Sequence, residues 1–95
     1  MLFIAHCTDK ADHLQVRLDT RPDHLEFLKA KGQALKLAGP TLDADGETPA
    51  GSLLIFEDAD LDTAKAWVAE DPYADAGLFE NVIVKPWKHA IGDGI

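Results

Sequence analysis

Residues 33–57, QALKLAGPTLDADGETPAGSLLIFE, decide the fold. Gln33 to Thr41 carries Leu35 and Leu37 ahead of the breaker pair Gly39-Pro40 and reads as a strand. Gly51 to Glu57 reads as another, with Leu53 and Ile55 alternating with Leu54 and Phe56. Between them, Leu42 to Ala50 holds Asp43, Asp45-Gly46 and Pro49, residues that favour turns, so the two strands form a hairpin. Upstream, Leu14, Leu18, Leu25 and Leu28 fall on one helical stripe within Ala11 to Lys31, and Gly32 ends that region. Thr20-Arg21-Pro22 is expected to divide it, because Thr caps helices well and proline fits only a first turn. Downstream, Asp58 or Asp60 can cap a helix across Leu61, Ala64, Trp67 and Val68. That helix stops at Asp71, since a residue before proline avoids the α region. Leu2 to Cys7 supplies a first strand and Leu78 to Lys85 a fourth, with Tyr73 to Gly77 a short turn or scrap of helix and Pro86 to Ile95 a tail.

The order β-α-β-β-α-β is the split βαβ plan of the ferredoxin-like α+β fold, with a four-stranded antiparallel sheet. A chain of 95 residues and 10.3 kDa is expected to make one domain, residues 1–95, burying only about 64% of its unfolded surface. Two helices cover one face of such a sheet, yet Leu53 and Ile55 alternate with Leu54 and Phe56, and Val82 and Val84 with Ile83. Both faces therefore read as apolar, and a second copy packed face to face is the simplest cover.

Seventeen acidic against nine basic residues leave a net charge of −8, which repels nucleic acid and anionic lipid. No apolar run reaches the ~20 residues of a membrane span, and no basic segment precedes the first apolar run as in a signal peptide. The lone Cys7 excludes an intrachain disulfide and a cysteine-rich zinc site, so a reducing, cytoplasmic setting is expected. No spacing among the four histidines and seventeen acids forms a metal motif, and no phosphate loop or nucleophile elbow is present. Neither a metal nor a cofactor is expected.

His24 is the most suggestive residue, a titratable ring beside the core-facing Leu25 and Leu28. From position alone, a half-exposed helical histidine is the commoner case. Asp71 sits where the last helix stops, and Asp-Pro is a common breaker. With both helices on one sheet face the two can meet. The carboxylate would then hold one imidazole nitrogen and leave the other as a general base. His6 alternates with Leu2 and Ile4 and is expected to face the same cavity. Cys7 has no basic neighbour to activate it as a nucleophile. Trp67, Phe79 and Trp87 read as core or dimer-contact aromatics.

The segments Asp19 to Leu25 (DTRPDHL), Leu37 to Pro40 (LAGP), Gly51 to Leu53 (GSL), Asp71 to Tyr73 (DPY) and Val84 to Trp87 (VKPW) together resemble the YciI-like (YCII-related) proteins. The likeness runs from the first strand to about Ile91. It implies a ferredoxin-like fold paired into a dimeric α+β barrel, with a histidine and an aspartate facing a pocket, which map to His24 and Asp71. Arg21, Gly39, Pro40 and Ser52 match family positions too, although strand ends and helix starts explain them equally well. One family branch removes chloride from a chlorinated hydroxyhydroquinone. The resemblance thus implies a lyase or isomerase moving a proton on a small, aromatic or lactone-like substrate. A non-catalytic ligand-binding module is the rival, followed by a monooxygenase of the kind found among related dimeric barrels.

Overall fold

A computed structural model describes residues 1–95. Four antiparallel strands form one sheet in the order β2-β3-β1-β4: β1 Leu2–Asp9, β2 Leu35–Leu42, β3 Pro49–Glu57 and β4 Phe79–Trp87. Helix α1 spans Leu14–Ala30, α2 Leu61–Ala69 and the one-turn α3 Pro72–Asp75. Both long helices lie on one face, where Phe3, Ala5 and Cys7 of β1 and Leu54 and Phe56 of β3 meet Leu28 of α1 and Ala64 and Val68 of α2. No helix is long and apolar enough to cross a membrane.

The strands run longer than their apolar residues suggest. β1 continues to Asp9, and β4 includes Pro86 and Trp87, which were expected in the tail. β4 is an edge strand, and so is β2 with its Pro40, so prolines that donate no ladder hydrogen bond are tolerated there. A 3₁₀ turn at Gly32–Ala34 replaces the expected start of β2 at Gln33, with Gly32 in the left-handed region at φ +64°. The turn chemistry of the β2–β3 loop centres on Asp45, whose carboxylate accepts from Glu47 N, Thr48 N and Thr48 Oγ1. Gly51 must lack a side chain, because a Cβ there would collide with the Cys7 carbonyl and Thr41 Oγ1. At α2, Asp60 is the cap, accepting from Thr63 N at 2.7 Å, while Asp58 instead accepts from Lys31 Nζ.

The expected division of α1 at Thr20-Arg21-Pro22 does not occur; the helix runs unbroken through Pro22. Proline inside a helix costs about 3 kcal/mol and leaves the carbonyl four residues earlier without a donor. Here Pro22 and Leu18 are both exposed, so water can bond that carbonyl. Arg17 and His24, on either side of Pro22, are each anchored to groups beneath the helix, which holds both halves on one axis.

Candidate active site

The side of α1 that meets the sheet is more polar than its leucine stripe suggests. Leu14 and Leu18 are exposed, while Arg17 (4% exposed), His24 (7%) and Leu28 are buried, with Arg21 one turn after Arg17. These four fall at i, i+4, i+7 and i+11, the period of a single helical face. A buried guanidinium needs full hydrogen bonding. Arg17 Nε donates to Asp9 Oδ2 at 2.6 Å, and Nη2 donates to Asp9 Oδ1 and Ser52 Oγ, each at 2.9 Å. Its Cζ also lies 4.5 Å from the centre of the Tyr73 ring. Burial alone would lower the Arg17 pKa, but the Asp9 carboxylate outweighs it and holds the group above its ordinary value.

Asp71 is the last residue before α3 and is 1% exposed. Its Oδ1 accepts from Tyr73 N at 2.9 Å, an N-cap to the short helix. The same carboxylate meets His24, with Nδ1 2.9 Å from Oδ1 and 3.0 Å from Oδ2. A carboxylate accepts only, so Nδ1 carries the proton and donates. The His24 ring stacks on Tyr73 with centroids 4.0 Å apart and planes 19° from parallel, which fixes its remaining rotation. Nε2 bonds no protein group and remains accessible. In the neutral ring it carries a lone pair able to take a proton.

A cleft of about 210 Å³ opens between α1 and the β2 side of the sheet. His24, Arg21, Gly39, Pro40 and Ser52 all line it, and Asp71 lies behind His24. Leu18, Leu25 and Leu28 supply its apolar wall, and Arg17 and Tyr73, absent from the sequence-based candidates, complete it. The volume is below the ~300–1,000 Å³ of drug-sized sites, so it suits a molecule near one ring in size.

His6 does not join this cleft. It pairs across the sheet with Leu53 and Ile83, on the face away from the helices, whereas Ala5 and Cys7 point to the core. Both alternating sets of β1 are apolar, so alternation alone could not say which set faces the helices. No group of three or more His, Cys, Asp or Glu side chains is placed to hold a metal ion.

Cys7 is wholly buried, and burial, reinforced by the charges of Asp71 and Asp9, pushes its thiol up to about 12. Burial likewise raises Tyr73, against the opposing charge of Arg17. Both groups fold in the neutral form. A raised pKa means that the contribution of Cys7 to stability is intact below the unfolded thiol value near 8.5 and declines as pH climbs toward about 12, while that of Tyr73 begins to decline only above the phenol value near 10. The urea midpoint should therefore fall from about pH 8.5 upward, and Cys7→Ala should flatten that fall; an identical slope in the variant would contradict the assignment.

Several known proteins are similar to this chain. Protein YciI of Escherichia coli is 42% identical over 96 residues, covering 93% of this chain and 97% of that protein. The solved structure of 5-chloro-2-hydroxyhydroquinone dehydrochlorinase from Burkholderia phenoliruptrix, in complex with 2,5-dihydroxybenzoquinone, superposes with a TM-score of 0.88 at 38% identity, covering 95% of this chain and 96% of that one. An antibiotic biosynthesis monooxygenase superposes with a TM-score of 0.53 at 14% identity, covering 94% and 100%, which shows a shared fold alone. The sequence model of the YCII-related domain matches residues 1–88, and with these relatives it establishes that the chain belongs to the YCII-related family.

Proposed function

We propose that this protein is a small-molecule lyase or isomerase in which His24 is the general acid–base and Asp71 its orienting partner. The observation that carries this reading is the hydrogen bond from His24 Nδ1 to a buried carboxylate, with Nε2 left open toward a cleft. In an elimination, Nε2 takes a proton from the substrate while a leaving group such as chloride departs with the electron pair of its bond. The sum is loss of HX, which needs no redox partner. A small oxygenated ring is the substrate class, supported by the 38%-identical dehydrochlorinase and its quinone ligand and by the size of the cleft.

The test is turnover of wild type and His24→Ala on haloaromatic, catechol and lactone substrates. Wild-type turnover that drops by about 10²–10⁴-fold in the variant fits a lost acid–base. Equal turnover in the two proteins rejects it, and ligand binding without any turnover favours a non-catalytic module. A cytoplasmic setting is part of the same reading, since the neutral Cys7 thiol is free.

The working unit in this proposal is a homodimer joined through the open sheet face. There Leu37, Leu53 and Ile83 remain 48%, 38% and 39% exposed, around Ile4 and Ile55. The accessible surface is 5918 Å² against roughly 5,400 Å² for an average monomer of this size, and the open face and the exposed tail both add to it. Sedimentation at micromolar concentration should give twice the 10.3 kDa chain mass, and a monomeric mass would remove this part of the proposal.

A further inference from the structure

The cleft runs against the charge of the molecule as a whole. Among 95 residues the acids outnumber the bases by 17 to 9, yet no carboxylate lines the cleft, and its ionisable wall is Arg17, Arg21, His24 and Tyr73. The carboxylates nearest that wall, Asp9 and Asp71, stand behind it, each bonded to the residue in front. Asp9 thereby compensates Arg17. Arg21 has no such partner, for the ion pairs of the structure are Arg17–Asp9, His24–Asp71, Lys29–Glu26 and Lys31–Asp58. Its neighbours one turn away on the helix are Arg17, Leu18, His24 and Leu25, none acidic, while Asp19 and Asp23 project from other sides. The charge of Arg21 reaches the cleft interior, where it opposes the rise of the Tyr73 pKa.

Resting on the acid–base reading above, we propose that Arg21 selects ligands by charge: it pairs with the anionic oxygen of a small planar ring while His24 Nε2 faces the reacting proton. An arginine suits this role because its charge persists at every working pH and its fork meets a resonance-delocalised oxygen pair. The apolar wall of Leu18, Leu25 and Leu28 accepts the ring. The substrate is therefore an ionised enol, phenol or carboxylic acid rather than a neutral molecule.

Calorimetric binding of 2,5-dihydroxybenzoquinone against its neutral 2,5-dimethoxy counterpart, and of benzoate against benzamide, tests this without turnover. Wild type should prefer the anion of at least one pair by about two- to fivefold, as one exposed ion pair gives. A preference in the quinone pair alone identifies the enolate and one in the benzoate pair the carboxylate, both in support. Arg21→Gln should bring the ratio near one, Arg21→Lys should restore the part that charge alone supplies, and raised salt should weaken the preference in wild type but not in Arg21→Gln. An unchanged ratio in Arg21→Gln overturns the proposal, as does wild type that binds no anion at millimolar concentration. The two readings fail separately. A charge preference lost in Arg21→Gln, with turnover indifferent to His24→Ala, rejects only the acid–base role, and the reverse pattern rejects only the role of Arg21.

Discussion

Asp71→Asn is expected to cut turnover by about 10²–10⁴-fold while leaving the chain folded. An asparagine keeps one carbonyl oxygen. Placed at the Oδ1 position, it still caps Tyr73 N and still lies 2.9 Å from His24 Nδ1. Its amide nitrogen, however, then occupies the Oδ2 position, 3.0 Å from Nδ1, and presents a donor to a donor. The ring relieves the conflict by moving its proton to Nε2, so that the nitrogen open to the cleft donates and can no longer accept. The same tautomer error disables an asparagine-substituted serine-protease triad. Two measurements check this: kcat/KM on a turned-over substrate, and the ¹⁵N spectrum of His24, which should change from the Nδ1–H to the Nε2–H pattern. Unchanged turnover together with a changed tautomer would show that Nε2 is not the base. Asp71→Ala differs in kind, because it strands two buried donors at about 1–3 kcal/mol each and should lower stability as well.

The largest loss of stability should come from Asp9→Ala. Arg17 is buried, and without Asp9 its guanidinium keeps only the Ser52 hydroxyl and the Tyr73 ring. Breaking one side of a buried pair costs about 3–5 kcal/mol, against a total of about 5–15 kcal/mol for a domain. The double change Asp9→Leu with Arg17→Met removes the stranded charge and should recover most of that loss, since apolar replacement of a whole buried pair is often neutral. Urea unfolding of wild type, the single variant and the double variant decides the matter. A single variant as stable as wild type would mean that the bidentate pair contributes nothing.

Much of the fold was legible because the strands alternate and the turns carry their own chemistry, as at Asp43 to Pro49. Topology allowed His24 and Asp71 to meet, since two helices lie on one sheet face, and the resemblance to YciI-like proteins singled the two out; the structure places Nδ1 2.9 Å from Oδ1. Arg17 was not legible. An arginine on a helix ordinarily reads as solvated, and its burial depends on Asp9, beyond the apolar part of β1, and on Ser52, 35 residues away. A trace was available in the spacing of Arg17, Arg21 and His24 ahead of the core residue Leu28, three polar side chains and a leucine with the period of one helical face. Pro22 misled for the opposite reason. Local sequence says where a helix can break, whereas anchors on either side decide whether it does.

The shared oxygen of Asp71 also governs how a site of this kind can decay. A lineage released from the chemistry can exchange His24 for a side chain that still donates to the buried carboxylate, and the turn into α3 survives. It cannot as easily discard Asp71, whose Oδ1 holds the first backbone N–H of that turn. Vestigial relatives should therefore retain the Asp-Pro-Tyr turn long after the histidine has drifted. For sorting living enzymes from relics among such sequences, the histidine is the informative residue and the aspartate, despite its place beside it, is a poor witness.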